Sequence, residues 1–273
     1  MKWTNDEIDI LKDNYHKGAN YVSSILGRSR ISTQSKMSRL GFYIDDENKS
    51  LIQKNNSRKN YTNYEYKVSN FTIDINEYTS YLLGLLWTDG YILKNRKTTS
   101  ISMVSDDLNE LNWIFDKTGY WYKQYRKRIG KRESLTLSAY NPELLNGLID
   151  LNFDKKSYIS PDKLFNIIPQ EYLKYLIRGI IDGDGCFYVG KNTYQLTIAS
   201  TYEQDWSFYI DFFSKIGFDF KIQRRIHKKS KSSIIRLCKR ESIISLCDWL
   251  YDGYLNDKIG LQRKYNKSLL FYR

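Results

Sequence analysis

The sequence predicts an α+β protein: two pseudo-symmetric αββαββα repeats, preceded by a small three-helix domain. Three observations carry that expectation. A nonapeptide recurs, LLGLLWTDG at residues 82–90 and IRGIIDGDG at residues 177–185, aligning Gly84 with Gly179, Asp89 with Asp184 and Gly90 with Gly185. The flanks of both nonapeptides run through the same order of helical and alternating stretches. Residues 1–43 instead hold three short helical segments, the second and third closed by Gly27 and Gly41.

Composition bounds the answer. The 273 residues carry 43 Lys+Arg against 31 Asp+Glu, a formal net charge of +12, which points to a polyanionic partner such as nucleic acid. Hydrophobic residues make up 41% of the chain, enough to exclude a disordered protein. Apolar runs such as Tyr81 to Trp87 are too short to span a bilayer, so no membrane partner is expected, and no signal peptide opens the chain. Cys186, Cys238 and Cys247 form no CxxC pair, which fits a reducing, intracellular setting. His16 and His227 stand far apart, which argues against zinc chemistry and most histidine-based catalysis.

Taken in order, the first helix opens on a capping box, Thr4 with Glu7 three residues later, and continues through Ile8, Leu11 and Tyr15. Helices at 19–26 and 32–40 follow, the last presenting Gln34, Ser35, Lys36, Ser38 and Arg39. Residues 44–70, rich in Asn, Lys and Ser, read as a linker. The first repeat covers 71–160 and the second 161–273. Each reads helix (77–88; 171–183), strand pair (91–96 and 99–105; 187–191 and 194–200), helix (107–118; 203–216), strand pair, and closing helix (142–151; 241–251). The offset of 95 residues also aligns Ser105 with Ser200. A 98-residue offset then aligns Gly119 with Gly217 and brings two basic runs into register. Lys123 to Arg132 holds six basic residues and no acid; Lys221 to Lys231 holds six, plus His227, and no acid. In the second run Phe218, Phe220, Ile222 and Ile226 alternate with Lys221, Gln223, Arg225, His227 and Lys229, predicting one apolar face and one basic face.

Asp89 and Asp184 are the unusual residues. Each ends an apolar helix, where the negative end of the dipole disfavours a carboxylate by roughly 0.3–1 kcal/mol. Each precedes a glycine, expected here in the left-handed conformation that ends many helices. Gly84 and Thr88, and Gly179 and Gly183, lie four apart, a spacing of small residues that lets two helix backbones approach closely. If the two helices pack on each other, both aspartates converge and repel unless a cation lies between them. With oxygen ligands and no nearby His or Cys, Mg²⁺ or Mn²⁺ fits best.

The two nonapeptides and their flanks resemble the LAGLIDADG homing endonuclease family, in its single-chain, two-repeat form. The resemblance spans about 200 residues; Trp87 departs from it, standing where an acid is common and where the second copy has Asp182. The resemblance implies a saddle of two four-stranded sheets on DNA, with the motif helices as central interface. It implies Asp89 and Asp184, with Gly90 and Gly185 beside them, as the metal site, and two-metal-assisted hydrolysis of one phosphodiester per strand. By the same resemblance Mg²⁺ supports cleavage, Mn²⁺ substitutes, and Ca²⁺ supports binding without cleavage. Lys156 and Lys264 correspond to a basic catalytic residue near each scissile phosphate, and Asp106 and Thr201 to polar residues of the water shell. The expected partner is double-stranded DNA carrying a long, imperfectly palindromic target, bound by a monomer and cut in intron homing.

The strand positions Lys123, Tyr125, Lys127 and Lys131, with Lys221, Gln223, Arg225, His227 and Lys229, are candidates for reading the major groove. Lys94, Arg96, Lys97 and Lys191 at hairpin tips are candidates for phosphate contact. The first 43 residues resemble a helix-turn-helix or Myb-like module that contacts DNA through Gln34, Lys36 and Arg39. The alternatives are an intron maturase or a non-cleaving DNA-binding regulator of the same fold.

Overall fold

The computed structural model of the protein describes residues 3–46, 48–49, 68–126, 133–227 and 230–273. Most of the 44–70 linker, together with Lys127, Lys131, Lys229 and the His227 side chain, lies outside the described residues. The chain divides into two compact units at residue 65.

The N-terminal unit holds α1 (Asn5–Asn14), α2 (Ala19–Leu26) and α3 (Arg30–Arg39). The capping box forms: Thr4 Oγ1 accepts the Glu7 N–H, and Glu7 Oε2 accepts the Thr4 N–H at 2.9 Å. Glu7 also grips Arg28 at 2.6 and 2.8 Å, and that pairing holds its carboxyl down at about 2. Leu11, Val22 and Met37, one from each helix, make the core. Gly27 closes α2 in the left-handed conformation, as its position predicts.

The second unit is the repeat pair. Its first copy runs α4 (Glu77–Asp89), β1 (Gly90–Leu93), β2 (Thr98–Val104), α5 (Ser105–Glu110), α6 (Trp113–Thr118), β3 (Tyr122–Arg126), β4 (Ser134–Tyr140) and α7 (Pro142–Asp150). After α8 (Asp162–Ile167), the second copy runs α9 (Leu173–Asp184), β5 (Gly185–Gly190), β6 (Thr193–Ser200), α10 (Ser207–Lys215), β7 (Lys221–His227), β8 (Ser230–Leu237) and α11 (Arg240–Leu250). The short helices α12 (Tyr254–Asp257) and α13 (Gln262–Ser268) close the chain. Both sheets are antiparallel and four-stranded, in the orders β1-β2-β4-β3 and β5-β6-β8-β7.

The α4 helix is apolar nearly all round, and Thr79 through Trp87 are all buried, as a central helix requires. Its start is fixed by Asn76, whose side chain accepts the Tyr78 and Thr79 N–H groups while Thr79 Oγ1 accepts the Asn76 N–H. The α4 and α9 helices touch backbone to backbone. A Cβ on Gly84 would strike the Leu176 carbonyl oxygen, and one on Gly179 would strike the Tyr81 carbonyl oxygen. Those contacts are reciprocal, since Tyr81 and Leu176 hold equivalent places in the two motifs. A Cβ on Gly183 would strike Thr88 Oγ1. All four small residues singled out by spacing therefore lie in one seam.

Several expectations need correction. Gly90 and Gly185 are extended (φ −78°, ψ 159° and φ −81°, ψ 151°), not left-handed. They are glycines because a Cβ would strike the carbonyl oxygens of Leu86 and Ile181, so each helix can turn directly into a strand. The expected 107–118 helix is broken into α5 and α6, and the expected 203–216 helix starts only at Ser207, whose N–H is held by Asp205 Oδ1 at 2.9 Å. Val68, placed in the linker by composition, is buried, and its carbonyl accepts the Asn141 side-chain N–H.

The repeat register also shifts. Gly90 pairs with Ile101 while Gly185 pairs with Ile198, so the second hairpin is two residues longer. Ser105 and Ser200 are thus not equivalent, and neither are Asp106 and Thr201. Continuing across the sheets, Ile101 pairs with Leu137 and Leu137 with Lys123, whereas Ile198 pairs with Ile235 and Ile235 with Ile222. Lys123 therefore corresponds to Ile222, not to Lys221. Ile222 and Ile226, on the face expected to be buried, are 45% and 65% exposed, on a strand, β7, that lies at the edge of its sheet.

Candidate functional site

The site forms where the α4–α9 seam ends. Asp89 is the last residue of α4 and Asp184 the last of α9. The seam is tight enough that a Cβ on Gly183, beside Asp184, would come within 3.1 Å of Asp89 Oδ2. The Asp184 carboxyl is pushed up to about 6 by burial and then by the Asp89 charge, against the pull of Lys156 and Lys264. Asp89 is exposed by surface area, yet the crowding around its carboxyl also raises it, opposed by Lys156, Lys264 and Arg263.

Two lysines answer the dipole problem that the aspartates pose. Lys156 Nζ donates to the carbonyl oxygens of Leu86 at 3.0 Å and Thr88 at 2.6 Å, at the C-terminal turn of α4. Lys264 Nζ donates to the carbonyl oxygens of Ile181, at 3.1 Å, and Gly185, around the same turn of α9. Each ammonium thus supplies the positive charge that a helix C-terminus favours. Burial lowers both amines, Lys156 to about 8, while Asp184 and Asp89 act to hold its proton.

Each lysine-bearing segment is docked on the opposite repeat. Beside Lys264, Arg263 forms a two-point pair with Asp107 of α5, and the Gln262 N–H donates to Glu110 Oε2. Beside Lys156, the Ser157 carbonyl accepts from Thr201 Oγ1, and the Ile159 carbonyl accepts from Gln204 Nε2 at 2.7 Å. A cavity of about 180 Å³ opens between the two repeats, lined by Trp87, Thr88, Lys156, Asp184, Thr201 and Gln204.

Asp89, Asp184, Lys156 and Lys264 are therefore brought together, and Thr201 borders them. Asp106 is exposed in the first turn of α5; its neighbour Asp107 is the buried one and acts on Asp89. Nothing in the alternation of the sequence distinguishes Asp107, Arg263 or Gln204, because each acts through a contact made far along the chain. The Gly185 carbonyl accepts from the Lys264 ammonium. Among the described residues no group of three or more His, Cys, Asp or Glu side chains converges. The donor set is two carboxylates, which fits a hard divalent cation that takes its remaining ligands from water and from a bound phosphate.

The candidate interface residues divide by register. On the second sheet Lys221, Gln223 and Arg225 point away from the buried Ile235 face, with Arg225 Nη2 donating to Gln223 Oε1 at 3.1 Å. On the first sheet Lys123 and Tyr125 lie opposite buried Leu137 and Leu135, and Lys123 Nζ sits 3.7 Å from the centre of the Phe115 ring. The open-face residues of β3 are instead Tyr122 and Gln124, matching Lys221 and Gln223. Lys94 is paired with Asp154 at 2.8 Å, Arg96 and Lys97 occupy the first hairpin turn, and Lys191 the second. In the N-terminal unit Gln34 and Arg39 are exposed, and Lys36 is half-buried near Trp3.

No protein-family model matches the sequence, and neither does any curated protein. Solved structures do match. The homing endonuclease I-WcaI, bound to its DNA recognition sequence, superposes with a TM-score of 0.50 at 16% identity, covering 76% of this chain and 91% of that one. I-DmoI in complex with DNA and Ca gives 0.48 at 16% identity, covering 75% and 100%. The repeat pair has the LAGLIDADG homing endonuclease fold. No helix among the described residues is long and apolar enough to cross a membrane.

Proposed function

We propose that this protein is a site-specific endonuclease that hydrolyses one phosphodiester on each strand of double-stranded DNA with the help of a divalent metal. One observation carries the reading: two carboxylates and two lysines, drawn from two equivalent repeats, meet at the end of a glycine-tight helix pair. A fold that only needed stability would not crowd two repelling acids onto unfavourable helix ends.

Asp89 and Asp184 hold Mg²⁺ or Mn²⁺, which when bound supplies Lewis-acid stabilisation of phosphoryl oxygens and eases ionisation of water. The rest belongs to the chain. Lys156 and Lys264 place positive charge where the pentavalent phosphorane becomes more negative than its ground state. The Lys156 amine, near 8, can also take or give a proton at working pH. The open faces of the sheets set the register on DNA through Tyr122 and Gln124 on one side and Lys221, Gln223 and Arg225 on the other. The N-terminal unit, through Gln34 and Arg39, adds contacts whose gain comes from tethering.

The test is selection of bound duplexes from a randomised library by the full chain in Ca²⁺, followed by transfer to Mg²⁺. The expected result is cleavage of both strands at one position, with Asp89→Asn and Asp184→Asn binding but not cutting. Enriched duplexes that stay intact in both Mg²⁺ and Mn²⁺ would instead establish a binding protein.

A further inference from the structure

Trp87 and Asp182 occupy the same place in the two motifs, two residues before Asp89 and Asp184, and chemically they have nothing in common. The structure gives them one feature in common. Each touches the residue that lies three positions before a site lysine. The Trp87 ring meets Phe153 edge-on, with centroids 5.1 Å apart and planes at 81°, and Phe153 precedes Lys156 by three. Asp182 Oδ2 accepts the backbone N–H of Leu261 at 2.8 Å, and Leu261 precedes Lys264 by three.

Asp182 is costly to keep. It is 1% exposed, and among the described residues its Oδ1 has no hydrogen-bond partner. Arg178, one turn earlier and fully buried, does not neutralise it through a hydrogen bond. The guanidinium donates to the carbonyls of Leu250 and Ile259 and to Asp257. Among the described residues, besides Leu261, Asp182 accepts only the Tyr81 hydroxyl of the other motif helix, at 2.9 Å. Leu261 is the residue just before α13, and its carbonyl accepts the N–H groups of Lys264 and Tyr265 at 2.9 and 3.1 Å. Asp182 therefore pins the start of the turn that carries Lys264, while the Lys264 ammonium returns to the Ile181 and Gly185 carbonyls on either side of the 182–184 segment. The lysine arm is held at both ends by the same helix end.

We propose that Asp182 is a positioning residue for Lys264, and that Trp87 plays the same part for Lys156 through an aromatic contact. Because one arm is held by a hydrogen bond and the other by packing, the two lysines can be displaced one at a time. The strand-cleavage part of the test rests on the endonuclease reading; the lysine-placement part does not.

The experiment maps the acetylation rates of Lys156, Lys264 and the exposed Lys267 by mass spectrometry under limiting reagent, on the folded full chain. It then follows nicking of each DNA strand separately. Asp182→Leu is expected to speed Lys264 acetylation about ten-fold with Lys156 unchanged, and to slow one strand about ten-fold more than the other. Asp182→Asn keeps an oxygen acceptor for Leu261 and should return both readouts to within about three-fold of the parent. Trp87→Leu should expose Lys156 instead. Should Asp182→Leu fail to fold, Leu261→Pro deletes the accepted N–H while leaving the carboxylate, and is read in the same way. Unchanged Lys264 protection in a folded variant, or equal release of both lysines, overturns the proposal. If the parent cuts no DNA, the endonuclease reading fails and the acetylation pattern still decides lysine placement.

Discussion

Arg263 grips Asp107 with two parallel hydrogen bonds, Nε to Oδ1 and Nη2 to Oδ2, both 2.8 Å, joining the last helix of the chain to the first repeat. Asp107 is nearly buried and Arg263 about half exposed. The pair lies close enough to Asp89 that both partners act on its carboxyl. It ties the Lys264 arm to the opposite half of the site.

Removing both partners should therefore cost less than the sum of the two single removals. Asp107→Ala is expected to lower unfolding stability by about 1–3 kcal/mol, discounted toward the low end because the guanidinium remains half in water. Arg263→Ala leaves a carboxylate buried and should cost about the same. A double-mutant cycle by urea denaturation is expected to show positive coupling of about 1 kcal/mol. Strict additivity would mean that the pair is only a surface contact.

The glycine seam makes a sharper prediction. At Gly84 and Gly179 the obstacle to a Cβ is a backbone carbonyl of the facing helix, which cannot step aside. Alanine there must push the helices apart, at a cost of about 3 kcal/mol or more in thermal or urea unfolding. At Gly183 the obstacle is the Thr88 side chain. Gly183→Ala should accordingly be rescued by Thr88→Gly, while Gly84→Ala should have no single-site rescue. A rescue of Gly84→Ala by trimming one side chain would show that the backbones do not set the spacing.

The motif helices were readable because repetition exposes what one copy hides: small residues four apart and an acid on the wrong end of each helix. Lys156 and Lys264 followed from resemblance, and the structure adds why they sit where they do, on the carbonyls of the helices that end in the acids. What stayed hidden depends on turn length. The extra two residues between Gly185 and Ile198 leave no mark on alternation, and the offset changes again between later strands, so Lys123 matches Ile222 rather than Lys221, a one-residue shift that puts it on the helix side of its sheet. The reason for Gly90 and Gly185 was also out of reach, since a clash with the carbonyl four residues back shows only when the helix turns straight into a strand.

The raised Asp184 carboxyl gives a pH dependence with a definite sign. Its proton is held up to about 6 in the folded protein, against an ordinary value of 3.8. Between those values the folded state binds more protons than the unfolded one, so this group's contribution to stability is full below about pH 4 and is lost as pH rises through 6. Asp184→Asn should therefore raise stability at pH 7, without divalent metal, by about 1–2 kcal/mol, and should gain little at pH 4. Mg²⁺ should raise the melting temperature of the parent at pH 7 and not that of Asp184→Asn. Equal melting of parent and variant at pH 7 would show that the two acids are not in conflict.

The corrected strand register separates open-face residues from helix-side ones. Gln124 and Gln223 hold equivalent places on the open faces of the two sheets, while Lys123 packs against Phe115 on the helix side. A glutamine on an open sheet face can pair bidentately with adenine, each good pair being worth about 1–3 kcal/mol of discrimination. Duplexes selected by Gln124→Ala should lose preference at one position in one half of the target, and those selected by Gln223→Ala at the matching position in the other half. Lys123→Ala should leave the selected sequence unchanged and reduce affinity at low salt by no more than one phosphate contact's share. If Lys123→Ala changes base preference while Gln124→Ala does not, the first sheet presents its other face to DNA, and the equivalence of the two halves is wrong.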